Sequence, residues 1–160
     1  MKTLYLIIGI ILITGCVQES TIKLTSTSFK NNEMIPSKYT CKRENINPPL
    51  RISGAPNNTV SYVLIMDDPD AIGWVHWLIW NIQITTINEN TAPGVQGVNS
   101  WGKNEYGGPC PPSGTHHYVF KVYALDSMLS ISNSSNKANV EQAIRGHVIA
   151  QTQIIGLYSA

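Results

Sequence analysis

Two stretches of this sequence carry side chains that can do chemistry. The first is Met66-Asp67-Asp68-Pro69-Asp70-Ala71-Ile72-Gly73-Trp74-Val75-His76-Trp77, where an apolar run ends in acids, turns, and a new apolar run starts at a histidine. The second runs from Tyr106 to Asp126. It opens on Gly107, Gly108, Pro109, Cys110, Pro111, Pro112, Ser113 and Gly114, then sets His116, His117 and Tyr118 at the head of an alternating run. So dense a set of Gly and Pro cannot build a helix or a sheet interior. A stiff loop therefore delivers two imidazoles and a phenol to the mouth of a strand, and loops of that kind are where sites are built.

The chemistry these types allow is anion binding. His76 and His116 each supply a donor and become cationic when protonated. Tyr118 adds a hydroxyl. A Gly-Pro backbone can approach a ligand closely and offer amide N–H groups, although Pro109, Pro111 and Pro112 have none. Asp68 and Asp70 fit this set once paired, because a carboxylate beside an imidazole favours its protonated form. An acid also accepts from the ammonium of a zwitterionic head group. The combination suits phosphate or a phosphoethanolamine-like ligand. Taken singly, the acids around Pro69 read as turn formers and His116-His117 as a strand start. The coincidence of the two stretches is what makes a pocket.

Two other chemistries use the same residues. A hydrolase would need Ser113 as nucleophile with His116 and Asp70 as partners. Pro112-Ser113-Gly114 is not a Gly-x-Ser-x-Gly elbow, and residues three apart on an extended chain point to opposite faces. A metal-binding module would draw on His76, His116, His117 and an Asp, but no His-Glu-x-x-His or Cys-x-x-Cys spacing supports it. The expectation is a binding protein, not an enzyme, with no cofactor and no metal. His147 lies away from both stretches and reads as core or surface.

The elements that position these groups are mostly strands. Ile22 to Phe29 is rich in β-branched residues and reads as a first strand. Ile35 to Tyr39 is a short edge piece, since Pro36 cannot donate to a ladder. Lys42 to Pro49 is loop, and Leu50 to Ser53 is a strand. Val60 to Met66 is strongly apolar and central. Val75 to Ile82 alternates, with Trp77, Ile79 and Asn81 on one face and His76, Leu78, Trp80 and Ile82 on the other. Thr85 to Gly108 is a long folded loop, packed by Trp101 and Tyr106. Tyr118 to Leu125 alternates strictly. Lys137 to Arg145 is the one helix: Asn136 caps it, Val140, Ala143 and Ile144 form its apolar stripe, and Gly146 sits at its C-terminal end. His147 to Tyr158 is a last strand. Many strands and one helix predict a single all-β sandwich domain over residues 22–160.

At 160 residues with a net charge of +1, the chain offers no basic stripe, which excludes nucleic acid as a natural partner. Lys2 followed by the apolar run Leu4 to Ile13 reads as an export signal over residues 1–15, too short to span a bilayer. Leu12-Ile13-Thr14-Gly15-Cys16 resembles a lipoprotein processing box. It predicts a lipidated Cys16, a tether over residues 16–21, and an exported protein anchored at the outer face of the cytoplasmic membrane or in the cell envelope. The other reading is a plain cleaved signal. Of the three cysteines, Cys41 and Cys110 then remain, either as a disulfide or as two free thiols.

Together the two stretches resemble the phosphatidylethanolamine-binding protein family, in its short prokaryotic Raf-kinase-inhibitor-like branch. The matching pieces are Asp68-Pro69-Asp70-Ala71, Trp74-Val75-His76-Trp77, Tyr106-Gly107-Gly108-Pro109-Cys110-Pro111-Pro112, His116-His117-Tyr118-Val119-Phe120, and His147-Val148-Ile149-Ala150-Gln151 followed by Gly156. The resemblance implies antiparallel sheets packed face to face in a Greek-key arrangement, with a small pocket at one end. It implies a ligand set of Asp68, Asp70, Trp74, His76, Cys110, Pro112, His116 and Tyr118. A homodimer and a role as inhibitor of a kinase or protease partner are implied in the same way. Three positions depart from the family pattern: Ile72 stands where a Pro is usual, His117 where an Arg is usual, and no helix follows the last strand.

Overall fold

The computed structural model describes residues 21–160. The export signal, Cys16 and all of the tether before Thr21 lie outside them. The elements are β1 (Lys23–Thr25), β2 (Glu33–Met34), β3 (Leu50–Ser53), β4 (Ser61–Asp68), β5 (Trp74–Ile82), β6 (Thr86–Ile87), β7 (Val95–Gln96), β8 (Thr115–Leu125), α1 (Lys137–Ala143) and β9 (Val148–Ser159), with 3-10 turns at Ser37–Tyr39 and Pro69–Ala71. They build a small sheet in the order β1-β3-β6 and a large one in the order β2-β9-β8-β4-β5-β7.

The core explains the arrangement. Leu64 and Met66 of β4, Trp77 and Ile79 of β5, and Phe120 and Val122 of β8 face Leu24, Leu50, Ile52 and Ile87 of the small sheet. On the other side of the large sheet, Val63, Ile65, Leu78 and Trp80 lie under Val140 and Ile144 of the helical segment. With both faces covered, all eight residues of β4 are buried. That accounts for its continuous apolar sequence.

The architecture is mostly β with one short helix, as expected, but two details of the expectation are corrected. The sheets are open, and their strand orders do not by themselves trace a Greek key. One pairing, β2 with β9, is parallel. Asn32, at φ 61°, turns the chain alongside β9, and Pro36, lacking an N–H, cannot extend the strand. β1 is also shorter than its β-branched run suggests. Ser26 Oγ accepts from Ser28 N and donates to Pro49 O, which ends the ladder in a local turn.

The most consequential correction is in β5. Met66 pairs with Trp77, but Asp67 pairs with Val75, so His76 is an extra residue in the ladder. A second irregularity lies near Asn81, which sits at φ 57°. Each bulge reverses the alternation locally. His76 and Ile82 therefore leave the face of Leu78 and Trp80. Ile82 joins Trp77 and Ile79, and the His76 ring lies 5.1 Å from that of Tyr118.

α1 starts where the sequence places it. Asn136 accepts from Asn139 N, and Asn139 Oδ1 accepts from Asn136 N, a reciprocal cap. It ends two residues early, because the turn through Gly146 at φ 82° redirects the chain into β9.

Candidate ligand site

The site forms where the end of β4 and the start of β5 meet the start of β8. Asp68 ends β4 and caps the 3-10 turn that follows. Its Oδ1 accepts from Asp70 N at 2.9 Å and from Ala71 N at 3.1 Å, and Pro69 sits where a missing N–H costs nothing. Its Oδ2 meets His116 Nδ1 at 2.7 Å. Asp68 is only 2 % exposed, so this pair is shielded from bulk water. Ile72 then adopts a left-handed conformation at φ 57°, unusual for a β-branched residue, and stands fully in solvent.

Asp70 turns the other way. Its Oδ2 accepts from His117 N at 2.7 Å and meets His117 Nδ1 at 2.9 Å. The His117 backbone N–H, then its imidazole, hold the Asp70 carboxyl below the usual carboxylate range. Asp70 and His117 thus fasten the acid turn to β8, with Asp70 Oδ2 taking both contacts.

His76 is held by backbone on the opposite wall. Its Nδ1 lies 2.7 Å from Gly107 O, and Gly107 N donates back to His76 O at 3.0 Å. A carbonyl can only accept, so Nδ1 carries the hydrogen. Burial pushes the imidazole below its ordinary value, against weaker opposing pulls from the Gly107 carbonyl and the Asp68 charge. His76 is therefore neutral, and its Nε2 presents a bare lone pair. This corrects the expectation of a cationic donor at His76: the residue is an acceptor. Its Nε2 takes no protein hydrogen-bond partner among the described residues, although the residue is only 3 % exposed.

Trp101 closes this wall. Its ring stands edge-on to His76 at 5.0 Å and to Trp74 at 5.5 Å. A Cβ on Gly107 would lie 2.4 Å from the Trp101 ring, so only glycine admits this packing. Asn99 holds the turn that carries Trp101, accepting from Trp101 N and Lys103 N and donating to Glu105 O. Trp101 and Asn99 belong to no motif: the sequence marked Trp101 only as packing the long loop, and Asn99 not at all.

The Gly-Pro loop differs from its expected role. Gly107 N is bonded to His76 O and Gly108 N to Asn45 Oδ1 at 2.8 Å, so neither amide is left for a ligand. The loop is anchored instead to residues 39–45. Cys41 and Cys110 form a disulfide with Cα atoms 5.5 Å apart, Cys41 N donates to Pro109 O, and Tyr106 Oη donates to Tyr39 O. Cys110 and Pro112 are exposed along this wall, with Pro111 buried between them. A cleft of about 210 Å³ lies beside it, lined by Trp101, Tyr106, Gly108 and Cys110 among others.

Tyr118 lies at the floor. Its side chain is fully buried, yet its hydroxyl has no hydrogen-bond partner. The Cys110 backbone and the Asp68 carboxylate lie close by without completing a bond. Burial and then the Asp68 charge push the phenol well above its ordinary value, so it keeps its proton. The His116 ring stacks on it at 6.5 Å. Trp74 stays at the rim, 40 % exposed. The open side-chain valences are thus the Tyr118 O–H, His76 Nε2, His116 Nε2 and the last lone pair of Asp68 Oδ2.

Other combinations are not assembled. Ser113 is exposed on the turn before β8, while His116 is paired with Asp68 and Asp70 with His117. Among the described residues no three His, Cys, Asp or Glu side chains cluster as a metal site. None of their helices is long and apolar enough to cross a membrane. Asp67 faces the helix side and pairs with Lys121 and Lys137. His147 pairs with Asp126.

Comparison with known proteins agrees with this geometry. The family model described as phosphatidylethanolamine-binding protein matches residues 25–159. A UPF0098 protein of Pyrococcus horikoshii is 43 % identical over 95 % of this chain and 83 % of its own. Another from Methanothermobacter thermautotrophicus is 43 % identical over 86 % of this chain and 98 % of its own. The crystal structure of a phosphatidylethanolamine-binding protein homolog from Chlamydia trachomatis superposes with a TM-score of 0.85 at 36 % identity, covering 88 % of this chain and 99 % of that one. Escherichia coli YbcL, described as a new member of the mammalian family, gives 0.80 at 30 % identity over 87 % and 98 %. With the family model spanning both halves of the site and relatives matching over most of their length, the chain belongs to the phosphatidylethanolamine-binding protein family.

Proposed function

We propose that this protein is a binding module, tethered to the cell envelope through a lipidated Cys16, whose site takes phosphate or a phosphorylated head group without turning it over. The observation that carries the reading is the Tyr118 hydroxyl. It is buried, protonated and unpartnered, and it stands beside the Asp68–His116 pair. An unsatisfied buried hydroxyl costs free energy that a ligand oxygen would recover. Ile72, Trp74 and Trp101 give the site an exposed apolar rim, which suits the part of a lipid that follows its head group. Membership of the family supports ligand binding in general, and the same rim serves a role as regulator of a kinase or protease, alone or as a homodimer. Calorimetric titration with phosphate and phosphoethanolamine is the test. Binding that weakens in Tyr118→Phe and His116→Ala supports the site, and equal binding by both variants removes it.

A further inference from the structure

We infer that the free edge of β9, outside the ligand site, is a self-association surface at which a second copy of this chain adds antiparallel, joining two large sheets into one.

A sheet edge is a template for a further strand, and folded proteins blunt their edges by keeping those strands short or charging them. The other edges here are short: β1 has three residues, and β2, β6 and β7 have two each. β9 has twelve, and its outer side is paired only where Glu33 and Met34 lie against Gly156 and Leu157. No charged side chain and no proline occurs from Val148 to Ala160. The usual devices against edge pairing are therefore missing from the longest strand of the fold.

The bonding direction along β9 is set at its covered end. Ile155 O accepts from Asn32 N, Ile155 N donates to Asn31 Oδ1, and Leu157 O accepts from Ile35 N. These residues point their main-chain groups away from β8. The pairing of β9 with β8 runs without a shift from Ala150 to Ser159, so by alternation Gln153 and Gln151 also turn N–H and C=O outward. Neither has a main-chain partner on that side among the described residues. Both side chains are exposed and border, with Lys121, Tyr123 and Thr152, an open hollow on the sheet face.

The segment itself points to its occupant. Ala150-Gln151-Thr152-Gln153-Ile154 has the same chemistry read in either direction: apolar, Gln, Thr, Gln, apolar. A two-fold axis at Thr152 sets Gln151 of one copy opposite Gln153 of the other, twice over, and each such pair exchanges both of its main-chain bonds. The two Thr152 side chains meet between them in the closely spaced position, a favourable cross-strand pair. Pairing the segment with itself brings no like charges together. Asn31 and Asn32 fill the ladder at Ile155, and the irregularity between Val148 and Ala150 bends the strand at the other end. The contact is isologous, so it closes at two copies.

Sedimentation equilibrium tests this on the mature chain carrying Cys16→Ser, which excludes a thiol link; a reversible dimer is expected. Gln151→Pro and Gln153→Pro each remove an outward N–H and leave the bonds to β8 in place. Each should weaken dimerisation roughly tenfold or more, since half of the main-chain bonds between copies are lost. Charge tests the register. Gln151→Lys with Gln153→Lys sets like charges across the axis and should leave monomers. Gln151→Lys with Gln153→Glu sets opposite charges there and should dimerise at least as tightly as the wild type. Equal dimerisation by the two charge variants, or a dimer untouched by either proline, would overturn the inference. So would a monomeric wild type. Slow hydrogen exchange at the Gln151 and Gln153 amides would then assign the edge to residues 16–21 folding back, and fast exchange would leave it to a different chain. If a proline variant does not fold, the two charge variants decide.

Discussion

Asp68 Oδ2 and His116 Nδ1 lie 2.7 Å apart and join the end of β4 to the start of β8 across the mouth of the site. Cutting that bond should be felt in both stability and affinity. His116→Ala leaves a buried carboxylate with one partner fewer, at a cost on the order of 1.5–3 kcal/mol. Urea denaturation reads the stability loss and calorimetry with phosphate the affinity loss. A variant unchanged in both would mean that the pair neither holds nor serves the site.

His76 gives the fold an acid limb. Its imidazole is held below its reference value of about 6.5, mainly by burial. Above that reference it is neutral in both folded and unfolded chains and contributes nothing. As pH falls below it, the unfolded chain takes up a proton that the folded one refuses, so stability drops until the folded pKa is reached. Asp70 acts in the same direction in a lower window. Its lowered carboxyl stabilises above its unfolded value of 3.8, a contribution lost as pH falls through the folded value. Denaturation midpoints from pH 7.5 to 5 should decline in the wild type, and His76→Gln should flatten that limb. An equal slope in the variant would assign it to other groups.

Gly107→Ala should displace Trp101. The added methyl would meet the ring at 2.4 Å, and overpacking of this kind costs roughly 1–3 kcal/mol. The half-exposed ring can swing outward, so the larger effect falls on the His76 contact it leaves. Of the four tryptophans, Trp77 and Trp80 are buried and Trp74 and Trp101 exposed. A red shift in emission with the buried pair unchanged would therefore report the rim. An unchanged spectrum and unchanged phosphate affinity would count against this packing.

The Cys41–Cys110 bridge closes a span of 69 residues. Mature protein alkylated without reduction should gain no label at either position. The double Cys→Ser variant should lose about 2–4 kcal/mol, since the chain-entropy account puts long loops at the upper end. Reductant should lower the wild-type midpoint and leave the variant's unchanged. Full labelling of both thiols in the exported protein would refute the bridge.

Cys16 tests the envelope reading. The full gene and its Cys16→Ser form, expressed in a host with lipoprotein processing, should differ on fractionation, the wild type with membranes and the variant soluble. Equal partition of the two would remove the anchor.

Much of this was legible along the chain because it depends on near neighbours. Leu50–Ser53 and the long alternation of β8 announce themselves by period, and Asn136 by its place before an apolar stripe. The acid turn could be read from Asp68-Pro69. What could not be read depends on partners far away in sequence. The bulge that turns His76 into the site exists only in the register of β5 against β4. The tautomer of His76 is set by a carbonyl 31 residues on. The division of labour between Asp68 and Asp70 follows from which histidine each one meets, and two adjacent histidines look alike in a sequence.

The disulfide also makes the molecule a lasso. β3 to β7 lie within the covalent ring, while β8 and β9 lie outside it. Pulled by its ends, the oxidised chain could pay out only the segments beyond the ring. The ring would add about 5.5 Å between its cysteines, where the reduced chain would release roughly 230 Å at full extension. Stretched between an anchor and a partner, this protein would have a contour length set by its redox state.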